Sequence, residues 1–181
     1  MAVWNVIDHT TVGSGGAASW AESSISGSYS HLCIKASIRK EAAGNWAYNG
    51  IRFGNSGLDT TSGNYTHTRF RAVSTSPDSV STTTMTGFEY VPCMAAANNE
   101  ANYFSPVEIW IPNYANTTGF KSATVKQATL ADNTGTGDWW IGTWGLLWHS
   151  TSAITDVAIY GPSFGTTDIA EHSTFTLYGI N

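Results

Sequence analysis

The feature that most constrains the fold is a strict alternation of apolar and polar side chains across residues 31–39. One face of the predicted strand would carry every second residue from Cys33 and Lys35 onwards, and these residues are mostly polar. The opposite set is apolar throughout: Leu32, Ile34, Ala36 and Ile38. Because successive side chains of a β-strand point to opposite faces, a period of two predicts a strand with one buried face. A helix would scatter these apolar residues around its circumference.

Similar stretches recur along the whole chain, separated by the Gly, Asn, Asp and Pro residues that favour turns. The further predicted strands cover residues 3–11, 48–53, 65–73, 82–91, 106–111, 121–130, 139–148, 154–160 and 174–180. About ten strands at short spacing predict an all-β fold, specifically an antiparallel jelly-roll-type β-sandwich. We expect a single jelly-roll domain over residues 1–181, with residues 1–12 as its first strand or an N-terminal arm. Residues 95–102 are predicted to form a helical turn or a long loop.

Composition supports the β class and excludes several kinds of partner. Aromatic residues make up 13% of the chain, whereas charged residues make up only 12%. Aromatic side chains suit a pleated, half-buried surface. The net charge is −5 with only eight Lys plus Arg, so the chain lacks the basic surface that phosphate binding needs, and we expect no nucleic-acid partner. The sequence shows no long apolar run and no secretory leader, so we expect no membrane span and synthesis in a cytoplasm.

Two glutamates in predicted strands, Glu89 and Glu108, are the candidates for carboxylate catalysis. Glycoside hydrolases use two facing carboxyl groups, and the Val-Glu-Ile-Trp-Ile strand around Glu108 resembles a nucleophile strand of such enzymes. Strand alternation already explains both residues as members of solvent faces, and the sequence favours that interpretation. The chain also lacks a serine nucleophile elbow and any cysteine nucleophile motif. We therefore expect no catalytic residues and no enzyme activity.

Metal and redox chemistry have little support in the sequence. The five histidines are isolated from one another: His9, His31, His67, His149 and His172. Residues 132–138 (DNTGTGD) are rich enough in oxygen ligands to hold a hard cation, but ordinary hairpin-turn chemistry explains them better. A disulfide between Cys33 and Cys93 is open, although buried thiols are the commoner outcome in a protein made in a cytoplasm. We expect no metal and no cofactor.

The most unusual cluster is a set of tryptophans in one predicted strand: Trp139, Trp140, Trp144 and Trp148. On a regular strand Trp139 faces one side and the other three face the opposite side, unless a bulge near Gly142 or Gly145 changes the register. An exposed row would be a binding face for sugar rings or for a partner subunit, and a buried row would be part of the core. The adjacent leucines and the rarity of large exposed aromatic patches favour the core.

Four short segments, spread over essentially the full length of the chain, have recognisable sequences. They are residues 8–17 (DHTTVGSGGA), 111–114 (IPNY), 144–146 (WGL) and 173–180 (STFTLYGI). Together they resemble a family of small virion proteins of tailed phages that infect marine and freshwater bacteria. The combination of the IPNY strand with the C-terminal strand is the most specific part of the resemblance.

The resemblance implies a jelly-roll module on the outside of a virion, assembled as a homotrimer, with no catalytic residues to carry over. The implied partners are other virion proteins, either the major capsid protein or tail proteins. The chain shows no coiled coil or β-helical shaft ahead of the domain, which favours a capsid decoration (cement) protein over a complete tail fibre. The alternative is a receptor-binding tail-tip domain whose aromatic faces contact a host surface glycan.

Overall fold

The computed structural model describes residues 1–73, 76–130, 139–161 and 168–181, and this part of the chain forms twelve β-strands and no helix. The strands are β1 (Trp4–Thr11), β2 (Ser19–Glu22), β3 (His31–Ile38), β4 (Trp46–Gly54), β5 (Tyr65–Val73), β6 (Ser76–Met85), β7 (Phe88–Ala95), β8 (Ser105–Pro112), β9 (Lys121–Leu130), β10 (Trp139–Trp148), β11 (Asp156–Tyr160) and β12 (Thr174–Ile180).

The strands form two antiparallel sheets, which confirms the predicted all-β, sandwich-like fold. The large sheet has eight strands in the order β1-β12-β3-β8-β9-β10-β5-β6, and the small sheet has four in the order β2-β11-β4-β7. The first strand pairs with the last strand of the same chain, with Trp4 opposite Ile180. The specific jelly-roll connectivity stays a prediction.

The strands predicted at 65–73, 121–130, 139–148 and 174–180 have the predicted bounds. The single strand predicted at 82–91 is wrong, because that segment contains parts of β6 and β7, which belong to different sheets. The break falls at Gly87, where any Cβ would clash with the Tyr160 hydroxyl. The short strand β2 was not predicted. Of the segment 95–102, which was predicted as a helical turn or a long loop, Ala95 ends β7 and residues 96–102 form a loop with turns and no helix. The Arg39 guanidinium holds this loop by donating to four backbone carbonyls, those of Ala97, Asn99, Glu100 and Tyr103.

The hydrophobic core lies between the two sheets and draws on both. Leu32, Ile34 and Ile38 of β3 are fully buried, as their alternation predicts. The largest fully buried aromatic side chains come from five strands and one loop: Phe53, Tyr65, Phe88, Tyr114, Trp144, Trp148 and Phe175. Because one face of the large sheet packs into this core, its other face is the surface on which a ligand or partner can bind.

Candidate functional site

The four tryptophans of β10 separate into two sets, because the strand alternates between buried and exposed residues without a bulge. Trp140, Trp144 and Trp148 face the interior and are at most 6% exposed. Trp139 faces the opposite side and is 56% exposed. Of the four candidate binding residues, the structure therefore makes only Trp139 available to a ligand or partner.

The outer face of the large sheet, which is turned away from the small sheet, carries an open trough of about 930 Å³. One row of residues crosses it from strand to strand. In this row Lys35 pairs with Glu108, and Glu108 pairs with Lys126. Lys126 in turn pairs with Thr143, and Thr143 pairs with Phe70. The trough thus spans β3, β8, β9, β10 and β5, which only the strand order of the sheet brings side by side.

The lining of the trough is mostly apolar. Phe70 and Ile141 are 57% and 65% exposed, which is high for large apolar side chains. Smaller apolar residues complete the lining: Ala72, Pro106 and Ala128. Scattered exposed apolar residues are normal on a folded protein, but a contiguous exposed apolar surface marks an interaction site.

One side of the trough is charged. Lys35 Nζ donates to Glu108 Oε2 over 2.9 Å, with the two side chains 50% and 38% exposed. This hydrogen bond is the main reason that the pKa of Lys35 is raised. Lys126 lies on the other side of Glu108 in the sheet. One carboxylate is therefore flanked by two lysines, and the row as a whole is positively charged.

An aromatic cluster lies on the same face, beyond Lys35. Its members are Trp4, Trp110 and Tyr178, from β1, β8 and β12. The Trp4 ring centroid lies 5.5 Å from that of Tyr178 and 6.3 Å from that of Trp110. Lys35 Nζ is 5.7 Å from the centre of the Trp4 ring, and this contact joins the cluster to the trough. Trp4 is 46% exposed, so the cluster presents an aromatic surface to solvent.

The aromatic cluster explains why Cys33 is fully buried although it lies on the outer face. Its cross-strand neighbours on that face are Trp110 and Tyr178, which cover it. Burial raises the pKa of the Cys33 thiol to about 11 and that of Cys93 to about 12. Both cysteines are free, in agreement with the expectation of buried thiols.

The two candidate catalytic glutamates lie in different places. Glu108 lines the trough on the large sheet. Glu89 belongs to β7 of the small sheet and lines a separate small cavity with Asn49 and Tyr160. Both are half-buried, and Glu108 alternates with the buried Val107 and Ile109 of its strand, as a residue on the solvent face would. The structure does not place these two carboxylates on one cleft, as glycoside hydrolysis by this pair would require.

Within the described ranges, no three His, Cys, Asp or Glu side chains are grouped as a metal site. The candidate cation loop at residues 132–138 lies outside those ranges. The histidines occupy unrelated positions: the His9 ring contacts the Thr176 hydroxyl, the His149 ring contacts the Thr66 hydroxyl, and His67 is buried. The same ranges contain no helix of the length and apolarity that crossing a membrane requires.

Sequence reasoning missed most of the surface described above. Phe70, Ile141, Trp4, Trp110 and Tyr178 were not singled out as candidate site residues. A signal was present for Ile141, because it shares the exposed face of β10 with Trp139. Phe70, Trp4, Trp110 and Tyr178 lie on different strands, and only the order and register of those strands place them on one face of the sheet.

Comparisons with protein-family models, with curated proteins and with solved structures find no match to this chain. The case for a function therefore depends on the trough, the aromatic cluster and the resemblance carried by the four sequence segments.

Proposed function

We propose that this protein is a structural virion protein of a tailed bacteriophage, a capsid decoration protein that acts by protein–protein contact. The observation that carries the proposal is the apolar trough on the outer face of the large sheet. Phe70 and Ile141 both expose large apolar side chains in the trough, and an exposed apolar surface of this kind favours a partner that covers it. The virion context comes from the resemblance of the four sequence segments.

The chemistry of the trough favours a protein partner. Its lining combines one aromatic ring with aliphatic side chains, and it has few hydrogen-bonding groups outside the charged row. Protein interfaces have this composition, with an apolar centre and charges at the rim. The lysines on either side of Glu108 favour a partner that places an acidic group at that rim. We propose that this partner is the major capsid protein.

The proposal includes the jelly-roll connectivity, the homotrimer and the virion location that the resemblance implies. In a trimer with threefold symmetry, each subunit presents the same trough to an equivalent site on the capsid lattice. Aromatic side chains suit such contacts, since a Trp or Tyr has only two side-chain torsions to immobilise.

The alternative function is glycan binding at a tail tip, and the aromatic cluster is the observation that favours it. Sugar rings stack on exposed aromatic faces, and Trp4, Trp110 and Tyr178 provide such a surface beside a lysine and a glutamate. This cluster and the trough share one face of the sheet, so the two functions predict different contact residues on it.

The proposal is tested by sedimenting the purified protein with mature capsids that lack it and counting bound copies per particle. We expect saturation at a fixed multiple of the lattice symmetry. The same preparation is also applied to host cells and to their purified surface glycans. Retention there that is lost in Trp4→Ala, combined with no capsid binding, would overturn the decoration function and establish the glycan-binding one.

A further inference from the structure

Three polar residues meet in the interior, away from the trough. Lys40, Asn49 and Asp168 are 0%, 1% and 6% exposed. Lys40 Nζ donates to Asn49 Oδ1 over 2.7 Å and forms a close ion pair with the Asp168 carboxylate. A primary amine, a carboxamide and a carboxylate are thus in direct contact in the interior, where Asn49 also borders the small cavity lined by Glu89.

Lys40 and Asn49 are brought together by two local features. Lys40 follows β3 and is fixed by its backbone N–H, which donates to the Ala95 carbonyl over 2.9 Å. Asn49 lies in β4 opposite a point where β7 carries two extra residues, because Tyr48 pairs with Cys93 whereas Gly50 pairs with Glu89. Such an irregularity interrupts the regular pairing of the two strands at Asn49.

Asp168 reaches the cluster from the segment before β12. Its carbonyl accepts from the Glu41 N–H over 2.8 Å, and its N–H donates to the Ala17 carbonyl over 3.1 Å. Gly161 makes room for the carboxylate, because a Cβ there would lie 2.5 Å from Asp168 Oδ2. Backbone contacts therefore hold the carboxylate against Lys40.

The cluster is poorly suited to stabilising the fold as an ion pair alone. Burying a lysine–carboxylate pair removes the hydration of both charges, and this loss offsets much of their attraction. In addition, Asn49 Nδ2 is buried and has no hydrogen-bond partner among the described residues. The amide oxygen is bound to the amine, while the amide nitrogen is left unbound. The donor at Oδ1 polarises the amide carbonyl towards attack at Cγ, and no described neighbour holds the amide nitrogen in place.

We propose that Lys40 and Asn49 join in an intramolecular isopeptide bond, with Asp168 as the group that transfers protons. The Lys40 ammonium gives a proton to the Asp168 carboxylate, and the neutral Nζ attacks Cγ of Asn49. The bond from Nζ to Cγ forms, the bond from Cγ to Nδ2 breaks, and the departing nitrogen takes protons from Nζ through Asp168. The net change converts an ammonium group and a primary amide into a secondary amide and an ammonium ion, so it needs no oxidant and no cofactor.

The surroundings favour the reactive form of the amine. Burial lowers the pKa of Lys40 by disfavouring its charged form, although the Asp168 carboxylate opposes that shift. Desolvation is one of the ways in which proteins turn a lysine into a nucleophile. The new bond would tie the end of β3 in the large sheet to β4 in the small sheet. This covalent link between the sheets suits a protein that must persist outside a cell.

The test is the mass of the purified wild-type protein and of its tryptic peptides, digested after denaturation. Without the bond, trypsin cleaves after Lys40 and releases the peptide 41–52. With the bond, Lys40 is no longer a substrate, and the peptide 40–52 appears intact and lighter by one ammonia. We expect the second result.

A succinimide at Asn49–Gly50 would also remove one ammonia, so the intact mass alone does not decide the question. In that case cleavage after Lys40 proceeds, and peptide 41–52 carries the mass loss. This result overturns the proposal, as does a wild-type protein of full mass that is cleaved after Lys40.

Two controls accompany the digest. Lys121 is also buried, but its Nζ donates only to the carbonyls of Gly119 and Thr151 in the described structure, so cleavage after it should be complete in the same sample. Asp168→Asn keeps the size of the side chain and removes the proton acceptor, so it should restore the ammonia mass and the cleavage after Lys40. If Asp168→Asn instead carries the bond in full, the proton-transfer role of Asp168 is refuted.

Discussion

The guanidinium of Arg71 lies 4.5 Å from the ring centroid of Trp140. It is held there by two-pronged contacts with the Asp78 carboxylate and by a 2.9 Å hydrogen bond to the Tyr48 hydroxyl. Tyr48 belongs to the small sheet and the other residues belong to the large sheet. Arg71 therefore links the two sheets at the end where Trp140 and Cys93 form a small second core.

Arg71→Lys should destabilise the protein by about 1–3 kcal/mol, because an ammonium cannot stack on Trp140 and contact Asp78 and Tyr48 together. The free energy of unfolding, measured by urea denaturation, checks this value. An unchanged denaturation midpoint would mean that the hydrogen bond from Arg71 to Tyr48 does not stabilise the packing of the two sheets.

The loss of stability on replacing a tryptophan of β10 should depend on whether that tryptophan lies on the buried or the exposed face of the strand. Trp144→Ala removes a side chain that is 1% exposed and should cost about 3–5 kcal/mol, because it leaves a large cavity. Trp139→Ala, at the 56% exposed position, should change stability by no more than about 0.5 kcal/mol. If the two variants lose similar amounts of unfolding free energy in urea denaturation, the assignment of these tryptophans to opposite faces of β10 is contradicted.

His67 should make stability depend on pH. Burial, with a smaller effect from nearby Arg69, lowers the pKa of His67 from 6.5 to about 4. The unfolded chain therefore binds a proton that the folded chain refuses between these values, so stability is complete above pH 6.5 and declines as the pH falls towards 4. The denaturation midpoint measured between pH 7.5 and pH 4.5 reports this decline.

The matched controls are two histidine substitutions. His67→Gln should flatten the pH dependence of the midpoint over this range. His172→Gln should leave it as in the wild type, because the side chain of His172 is 74% exposed. If the midpoint of His67→Gln still depends on pH as in the wild type, groups other than His67 cause that dependence.

The fold could be predicted where alternation runs unbroken over a long segment. In β10 the exposed and buried residues alternate over nearly the whole strand, so both its bounds and its faces follow from the sequence. The segment 82–91 was mispredicted because its residues suit a strand throughout. What divides it is a tertiary contact, the packing of Tyr160 against Gly87.

The candidate sites depend on partners that are distant in sequence. Cys33 is read as solvent-facing from its own strand, and only Trp110 and Tyr178 from other strands bury it. Lys40 stands between Arg39 and Glu41, so composition alone indicates a surface residue. Its burial follows from contacts with Asn49 and Asp168, which no local pattern encodes.

The central claim is that the trough is the docking surface, and two phenylalanines of equal exposure test it. Phe70 lines the trough, whereas Phe120 lies outside the trough lining, near His149, and each is 57% exposed. The measurement is the number of copies bound per capsid for Phe70→Ser and Phe120→Ser. A urea denaturation curve first shows that both variants are folded. We predict that Phe70→Ser loses capsid binding while Phe120→Ser binds as the wild type does. Wild-type binding by Phe70→Ser would contradict the claim that the trough contacts the capsid.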